Sequence, residues 1–355
     1  MTKPSFIEKL LRSRAALLWV ILAVLVLFMC LKTSNVLSGG GIGSMFNSGF
    51  MVEGNLRSIF LNIVVQGMML VGLTCLIIGG EIDLSVSGQA TISAMLFAHL
   101  CTSFPDMPWG VALLACIAFG VLIGLFYTFL VNVLKFMSFI ATIGMASLLA
   151  GLANVWTNAN VVPITRGSFN DLGMKAFFGR FPLLFVVMLV LLVLAGFMMS
   201  HTRFGRRIYM LGGNRQAARL TGLNPNRIRM RLFIQNSVLA ALAGVMWAAQ
   251  MKQASPTALT SSLPDLTAIT AAILGGVAFM GGKGNLAGAF AGMLLLNVFS
   301  NMLTILRVPT YWNISAQGAL LIIALVLDHV SNTQSLRSLR KQSALAGAAY
   351  ESSQP

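Results

Sequence analysis

Charge is the scarcest property of this chain. Asp, Glu, Lys and Arg together make up 9% of its 355 residues, where a soluble domain carries about 25%. Acid is scarcer still, with nine Asp and Glu against 24 Lys and Arg. The hydrophobic share is 57%, more than a soluble fold of this length can hide, which excludes that class. Nucleotide and hydrolase signatures are missing too. The nearest approach to a G-x-x-x-x-G-K-[ST] loop is Gly281-Gly282-Lys283-Gly284, without the upstream Gly or the Ser/Thr that holds magnesium. No H-E-x-x-H or G-x-S-x-G occurs. Cys30, Cys75, Cys101 and Cys116 lie singly in apolar runs and read as small buried hydrophobes, and the three His show no metal spacing. Ion-driven carriers place charges within their spans to bind the coupling ion. Here Glu81, Asp83, Asp265, Lys283 and Asp328 all fall near the ends of apolar runs. A chain of this kind that moves a solute must take its energy from elsewhere, and it is expected to bind no cofactor itself.

What is present is a series of apolar runs, each near the length of about 20 residues that crosses a bilayer as a helix. Ten can be drawn: Ala15 to Leu31, Ile59 to Ile78, Val86 to Cys101, Trp109 to Val131, Ser138 to Trp156, Pro182 to Ser200, Leu232 to Met251, Leu266 to Met280, Leu286 to Leu306 and Trp312 to Leu327. The third and eighth are short and glycine-flanked, as re-entrant or broken helices are. The expectation is an all-α integral membrane protein with about ten transmembrane helices. No polar block divides it, so residues 15–330 form one transmembrane domain, with tails at 1–14 and 331–355. The first run follows a basic start as a signal peptide would, but it is long and no A-x-A site follows, so it reads as an uncleaved helix.

Net charge of +15 raises nucleic acid as a partner, and the charge map argues against it. With the N-terminus inside and spans alternating, Lys3, Lys9, Arg12, Arg14, Lys135, the arginines of 203–231, Lys283, Arg337, Arg340 and Lys341 fall inside. Only Lys32, Arg57, Arg166, Lys175, Arg180, Lys252 and Arg307 fall outside. That asymmetry sets orientation by the positive-inside rule, with both termini cytoplasmic. The basic excess is topology signal and affinity for anionic membrane lipid.

Eight of the arginines crowd into one stretch, SHTRFGRRIYMLGGNRQAARLTGLNPNRIRMR, residues 200–231, which holds no acid. Gly212-Gly213-Asn214 breaks the chain and Asn214 can cap a helix. Arg215 to Thr221 has good helix formers, Gly222 is placed as a C′ glycine, and Asn224-Pro225 stops continuation. The result is a helix of about two turns, with Ala217 and Ala218 small enough for close approach and Leu220 offering an apolar contact. A purely topological loop accounts for the charge, and headgroup contact accounts for some arginines. Neither accounts for a capped small-residue helix, which suits docking into a cytoplasmic partner.

These residues resemble a known family. Thr202-Arg203-Phe204-Gly205-Arg206 through Gly212-Gly213-Asn214, Ala217-Ala218-Arg219 and Gly222 is similar to the cytoplasmic loop of ABC-type sugar permeases of the ribose, xylose and arabinose class, with xylose-type wording nearest. Ile78-Gly79-Gly80-Glu81-Ile82-Asp83-Leu84-Ser85-Val86 resembles that family's G-x-I-D-L-S-V-G, with Gly88 displaced by one. Ser138-Phe139-Ile140-Ala141-Thr142 resembles its P-F-I-x-T-L, and Leu274-Gly275-Gly276-Val277 to Gly281-Gly282-Lys283-Gly284 its L-G-G-x-x-x-x-G-G-x-G. Tyr311-Trp312 through Gly318 to Asp328 resembles its last span. The second acid of the family's Glu-Leu-Asp is lost at Pro264-Asp265-Leu266-Thr267. The resemblance runs from about residue 60 to 328. It implies a permease subunit in a bacterial inner membrane, paired as a dimer, a homodimer rather than a heterodimer. A separate ABC ATPase would hydrolyse ATP, and an external solute-binding protein would deliver a monosaccharide or small polyol. Gly212, Gly213, Asn214, Ala217, Ala218, Arg219 and Gly222 would then form the coupling loop, 201–231, that meets the ATPase.

For the translocation pathway the candidates are Asn62, Gln66, Glu81, Asp83, Asn297 and Asn301. Amides both donate and accept, as sugar hydroxyls require, and Asn297 and Asn301 share a helical face. Asn132 and Asn154 belong to the same class, and all of these amides suit interhelical bonds as well. Asp83 also suits a helix cap, the preferred reading, whereas Glu81 beside two glycines needs a partner. A stand-alone channel or facilitator is the alternative, and a membrane enzyme using Glu81 and Asp83 is a third reading with little to support it.

Overall fold

The computed structural model describes residues 14–34, 48–164, 176–177 and 181–309, with single positions between 312 and 326. The proposed tails at 1–14 and 331–355 lie almost wholly outside the described residues, as does much of the run from Trp312.

The chain is mostly helical over its described length. In order come α1 (Arg14–Thr33), α2 (Glu53–Ile78), α3 (Val86–Ser103), α4 (Trp109–Thr128), α5 (Ser138–Thr157), α6 (Leu183–His201), α7 (Arg203–Gly213), α8 (Arg215–Leu220), α9 (Pro225–Met251), α10 (Ala258–Ser262), α11 (Pro264–Leu274) and α12 (Leu286–Ile305). A π-helical turn, Phe129–Val133, extends α4. Four two-residue strands complete the set: β1 (Val162–Pro163), β2 (Ala176–Phe177), β3 (Phe181–Pro182) and β4 (Gln253–Ala254), paired antiparallel as β1 with β4 and β2 with β3.

Seven of the described helices are long and apolar enough to cross a membrane, α1, α2, α4, α5, α6, α9 and α12. They coincide with seven of the ten runs; two runs differ, and the tenth, from Trp312, lies largely outside the described residues. Val86–Ser103 is a full helix of 18 residues, but it carries Ser87, Gln89, Thr91 and Ser93 and buries all four inside the protein. The eighth run breaks at Gly275, leaving an 11-residue α11. At 1.5 Å per residue that covers about half of a 30 Å hydrocarbon core.

Burial sorts the helices into two shells. The most apolar window of α2 is 83% buried and that of α9 72%, against 17% for α1 and 28% for α4 and α6. α9 is the central post, packed against α4, α2 and α3. The outer helices present Val24, Leu114, Leu122, Ile140, Val155 and Val193 outward, as lipid-facing helices do. Lipid tails are as apolar as Leu, so helices in a bilayer associate through close backbone approach. Gly288 and Gly292 on α12 show this: a Cβ on either would overlap the carbonyl oxygen of Gly275 or Ala271 on α11. Gly124 on α4 does the same for α9, where a Cβ would stand 2.5 Å from Ile234 Cα.

Basic residues segregate to two ends. Lys135 lies with the arginine loop, because it bonds the Asn132 carbonyl while the Asn132 amide donates to the Asn226 carbonyl (2.9 Å). Gly284 joins the same end through a 2.8 Å bond from Tyr209, and its neighbour Lys283 is there too. Lys32 stands at the far end, where Phe50 N–H donates to Thr33 Oγ1.

Gly124→Leu is expected to cost about 2 kcal/mol by overpacking. Thermal unfolding of the detergent-purified chain would show this as a fall of about 5 °C in Tm. Gly196→Leu has nothing within 4 Å of the added Cβ, and its Tm should match the parent. Equal Tm values for the two variants would contradict the α4–α9 contact.

Candidate functional site

Two helix breaks and the arginine loop meet at one end of the molecule. The first break, Gly79–Ser85, joins α2 to α3; the second, Gly275–Asn285, joins α11 to α12. A break inside a membrane protein frees backbone groups that lipid cannot satisfy. Here they satisfy each other: Gly282 N–H donates to the Ile78 carbonyl at 2.8 Å. Gly212, the penultimate residue of α7, packs on both, and a Cβ there would overlap the Ile78 carbonyl. Gly80 (φ 80°) and Gly282 (φ 75°) hold left-handed conformations that favour glycine.

The loop itself contains two helices. α7, unforeseen in the sequence, turns Ile208 and Leu211 inward and Arg203, Arg206 and Arg207 outward. Asn214 ends α7 and caps α8, its Oδ1 accepting from Gln216 N–H (2.9 Å) and Ala217 N–H (3.0 Å). At the other end Leu223 N–H reaches the Ala218 carbonyl and Gly222 N–H the Arg219 carbonyl, with Gly222 at φ 79°. This is a Schellman stop. α8 is therefore closed at both ends by residues that adjoin it in sequence, Asn214 before it and Gly222 and Leu223 after it. Ala218 faces inward and is 1% exposed, so it is a packing residue of this chain, unlike the outward-facing Ala217. Leu220 is 90% exposed.

Glu81, 3% exposed, anchors this helix. Its Oε1 lies 2.5 Å from Arg215 Nη2 and 2.7 Å from Arg229 Nε. Arg229 is itself buried, on the first turns of α9, and the other seven arginines of the loop are exposed. The Arg229 contact is an ion pair without an aligned N–H bond. Thus Glu81 does have the partner its setting demanded, and it is supplied from the arginine loop.

Asp83 is wholly buried two residues on. Its Oδ1 accepts from Ser85 N–H (2.8 Å) and Ser85 Oγ–H (2.5 Å), and its Oδ2 from Gln89 Nε2 and Asn236 Nδ2 (both 2.8 Å). Tyr127 bonds to Ser85 from α4. A carboxylate has about four acceptor positions, and four donors fill them. None of these bonds caps α3, whose N-cap is Ser85 without a side-chain cap bond, so the helix-cap reading of Asp83 is not borne out; the bonds from Gln89 and Asn236 tie α3 and α9 to the break.

The remaining candidates separate. Asn62, Gln66 and Asn297 come together on one cavity of about 210 Å³ between α2, α9, α11 and α12. Glu81, Asp83 and Asn301 are placed elsewhere. Asn301 forms a reciprocal amide pair with Asn55, at 2.7 and 3.2 Å. Asn154 bonds the carbonyl of Ala150 on its own helix. Sequence inspection missed Asn55, Arg229, Asn236, Trp247 and Gln250. Asn236 and Gln250 were visible as amides in an apolar run; Arg229 was hidden among seven exposed arginines.

The fold and site define a polytopic helical membrane protein that presents a closed, anchored helix beside two helix breaks. Comparison with known sequences carries this further: residues 55–325 match the family described as branched-chain amino acid transport system / permease component, and the chain belongs to that permease family. It is a family of transporter permeases and not of enzymes. The chain is similar to the ribose import permease protein RbsC of Escherichia coli K12, 33% identical over 293 residues, covering 81% of this chain and 89% of that one. It is also similar to the L-arabinose ABC transporter permease protein AraH of Azospirillum brasilense, 30% identical with 80% and 83% covered. The autoinducer 2 import system permease protein LsrC of Klebsiella pneumoniae is 33% identical, with 79% and 80% covered. No solved structure gave a significant match.

Glu81→Gln would leave Arg229 buried without its counter-charge, at an expected cost of about 3 kcal/mol. Adding Arg229→Met should recover most of that loss. A thermal-stability cycle over the two single variants and the double tests it; additive losses would remove the pair from the account.

Proposed function

We propose that this chain is the membrane-spanning permease subunit of an ABC importer for a monosaccharide or related polyol. A separate ATPase hydrolyses the ATP, and α8 receives its movement. The observation that carries this reading is α8 itself: a helix capped at both ends, held from beneath by Ala218 and the Arg215–Glu81 ion pair, and showing Gln216, Ala217, Arg219 and Leu220 outward. A six-residue helix is too short to persist alone, so its fixed shape comes from its caps and anchors. Gly212, Gly213, Asn214 and Gly222 shape and seat it; Ala217 and Arg219 face the partner.

The ribose, arabinose and autoinducer 2 import permeases to which the chain is similar support the sugar-import reading. In it, a solute-binding protein delivers from outside, and two copies of this permease enclose the pathway as a homodimer. The arginine end faces the cytoplasm, where anionic lipid meets the exposed arginines of α7. Both termini lie on that side of a bacterial inner membrane.

The test is a paired assay of a membrane-inserted Ala217→Glu, Leu220→Asp variant: co-purification of the cognate ATPase, and uptake of labelled D-ribose and D-xylose. Neither residue packs inward, so normal membrane levels are expected with loss of both signals. Import at the parental rate would sink the coupling role. Ala218→Glu, by contrast, should lower the stability of the isolated chain. Asn214→Ala should weaken ATPase capture less severely, since losing a cap costs about 1 kcal/mol.

A further inference from the structure

The cavity that gathers Asn62, Gln66 and Asn297 is also lined by Trp247, Gln250 and Ser300. Gln66 is near the middle of α2, and Pro264, which begins the half-length α11, borders the same space. The cavity therefore reaches inward from the end opposite the arginine loop toward the middle of the protein.

The hydrogen bonds distinguish this set from an ordinary rung between helices. In the Asn55–Asn301 pair each amide donates to and accepts from the other, and Asn55 Nδ2 also donates to the Phe50 carbonyl (2.8 Å). The bond between Gln66 and Asn297 runs one way. Asn297 Nδ2 donates to Gln66 Oε1 (2.8 Å) and to the Met293 carbonyl (3.0 Å). That leaves the Gln66 Nε2 donor and the Asn297 Oδ1 acceptor outside the bond, on two side chains that both line the cavity. A hydroxyl both donates and accepts, so this pair suits one sugar hydroxyl. Gln250 repeats the arrangement, spending Nε2 on the Leu61 carbonyl (3.2 Å) and keeping Oε1. The Trp247 indole supplies an apolar face for the C–H side of a ring.

Charge settles the class of solute. Among the described residues, no charged side chain lines the cavity. An amino acid brings an ammonium and a carboxylate, and moving either from water without a partner is costly. The N-terminus of α11 would favour an anion, but Asp265 already stands there, accepting from Leu266 N–H at 2.9 Å. We propose that this cavity is a contact site for an uncharged, hydroxyl-bearing solute on its way through the permease, with Gln66, Asn297 and Trp247 as its specificity-determining residues. The proposal rests on the importer reading above and selects a neutral polyol over the amino acids of the family's description.

The complete importer, with its ATPase and binding protein in proteoliposomes, is the system for the test. Its probes are labelled D-ribose, D-xylose and L-leucine, with ATPase co-purification read in parallel. Gln66→Leu and Trp247→Ala should each raise the half-saturating sugar concentration about tenfold, the worth of about 1.4 kcal/mol, with ATPase capture unchanged. Asn301→Leu should lower Tm and leave that concentration alone. Trp247→Phe and Gln66→Asn serve if the larger changes impair insertion, with smaller shifts in the same direction. Parental sugar kinetics in the Gln66 and Trp247 variants would overturn the site while leaving the importer reading standing. Import of L-leucine with no import of either sugar would overturn the neutral-solute assignment. Absence of any import together with absence of ATPase capture would remove the importer reading, and the site with it.

Discussion

The constraint on which this structure turns is the carboxylate of Glu81, one acid buried against two arginines in a protein that has few acids. It lies in the break after α2, between Arg215 of the short helix and Arg229 of the central post. Removing ions from water is costly, so a buried pair adds little net stability, and its clearest value is fixing position. Here it fixes three elements with one side chain: the end of α2, the start of α9 and α8. The glycine contacts beside it add what no side chain could. Gly212 has no room for a Cβ, and Gly282 N–H closes onto the Ile78 carbonyl. The two helix breaks and the loop are thus one junction made of backbone and the two ion pairs of one carboxylate.

Breaking a helix at membrane depth requires internal polar groups to replace water, and the chain meets that requirement with α3. This helix is too polar to be lipid-facing, and the fold buries nearly all of it from Val86 to Ala98. Gln89 and Ser85 serve Asp83, and Ser93 donates to the Ala241 carbonyl of α9 (2.9 Å). The run Val86–Cys101 read as a weak span because it is short and glycine-flanked; its polar residues are what make α3 an interior helix. Apolar α4, α5 and α6 then cover the assembly and meet lipid.

Hydropathy made seven helices legible with their ends nearly right, because length and apolar composition determine a span directly. It misjudged where α9 begins. Arg227, Arg229 and Arg231 looked like loop, yet Asn224 caps the helix at Pro225 and the arginines ride its first turns. Local capping chemistry was legible for α8, since Asn214 and Gly222 act within a few residues of themselves. Contacts between distant residues were not legible. Glu81 signalled only that it needed a cation, and eight arginines were equally eligible. Gln66 and Asn297, 231 positions apart, looked no different from Asn55 and Asn301. What separates them is whether each amide both donates and accepts within its pair, and that is a property of packed helices.

α2 is the element that belongs to both regions. It runs 26 residues from Glu53 to Ile78, about 39 Å at 1.5 Å per residue, without a proline or a described kink. Asn62 and Gln66 face the cavity from its middle, and Glu81 follows its last turn. A packed helix moves as a body, because its hydrogen bonds and its neighbours resist bending more than sliding. While Arg215 holds Glu81, a displacement of α8 must either carry the end of α2 with it or separate a buried ion from its partner. The second alternative costs several kcal/mol, whereas small shears between glycine-lined faces cost little more than the repacking of a few side chains. The ion pair therefore makes α2 the stiff member between the surface proposed to meet an ATPase and the cavity proposed to contact the solute, and no charged side chain lines that cavity among the described residues.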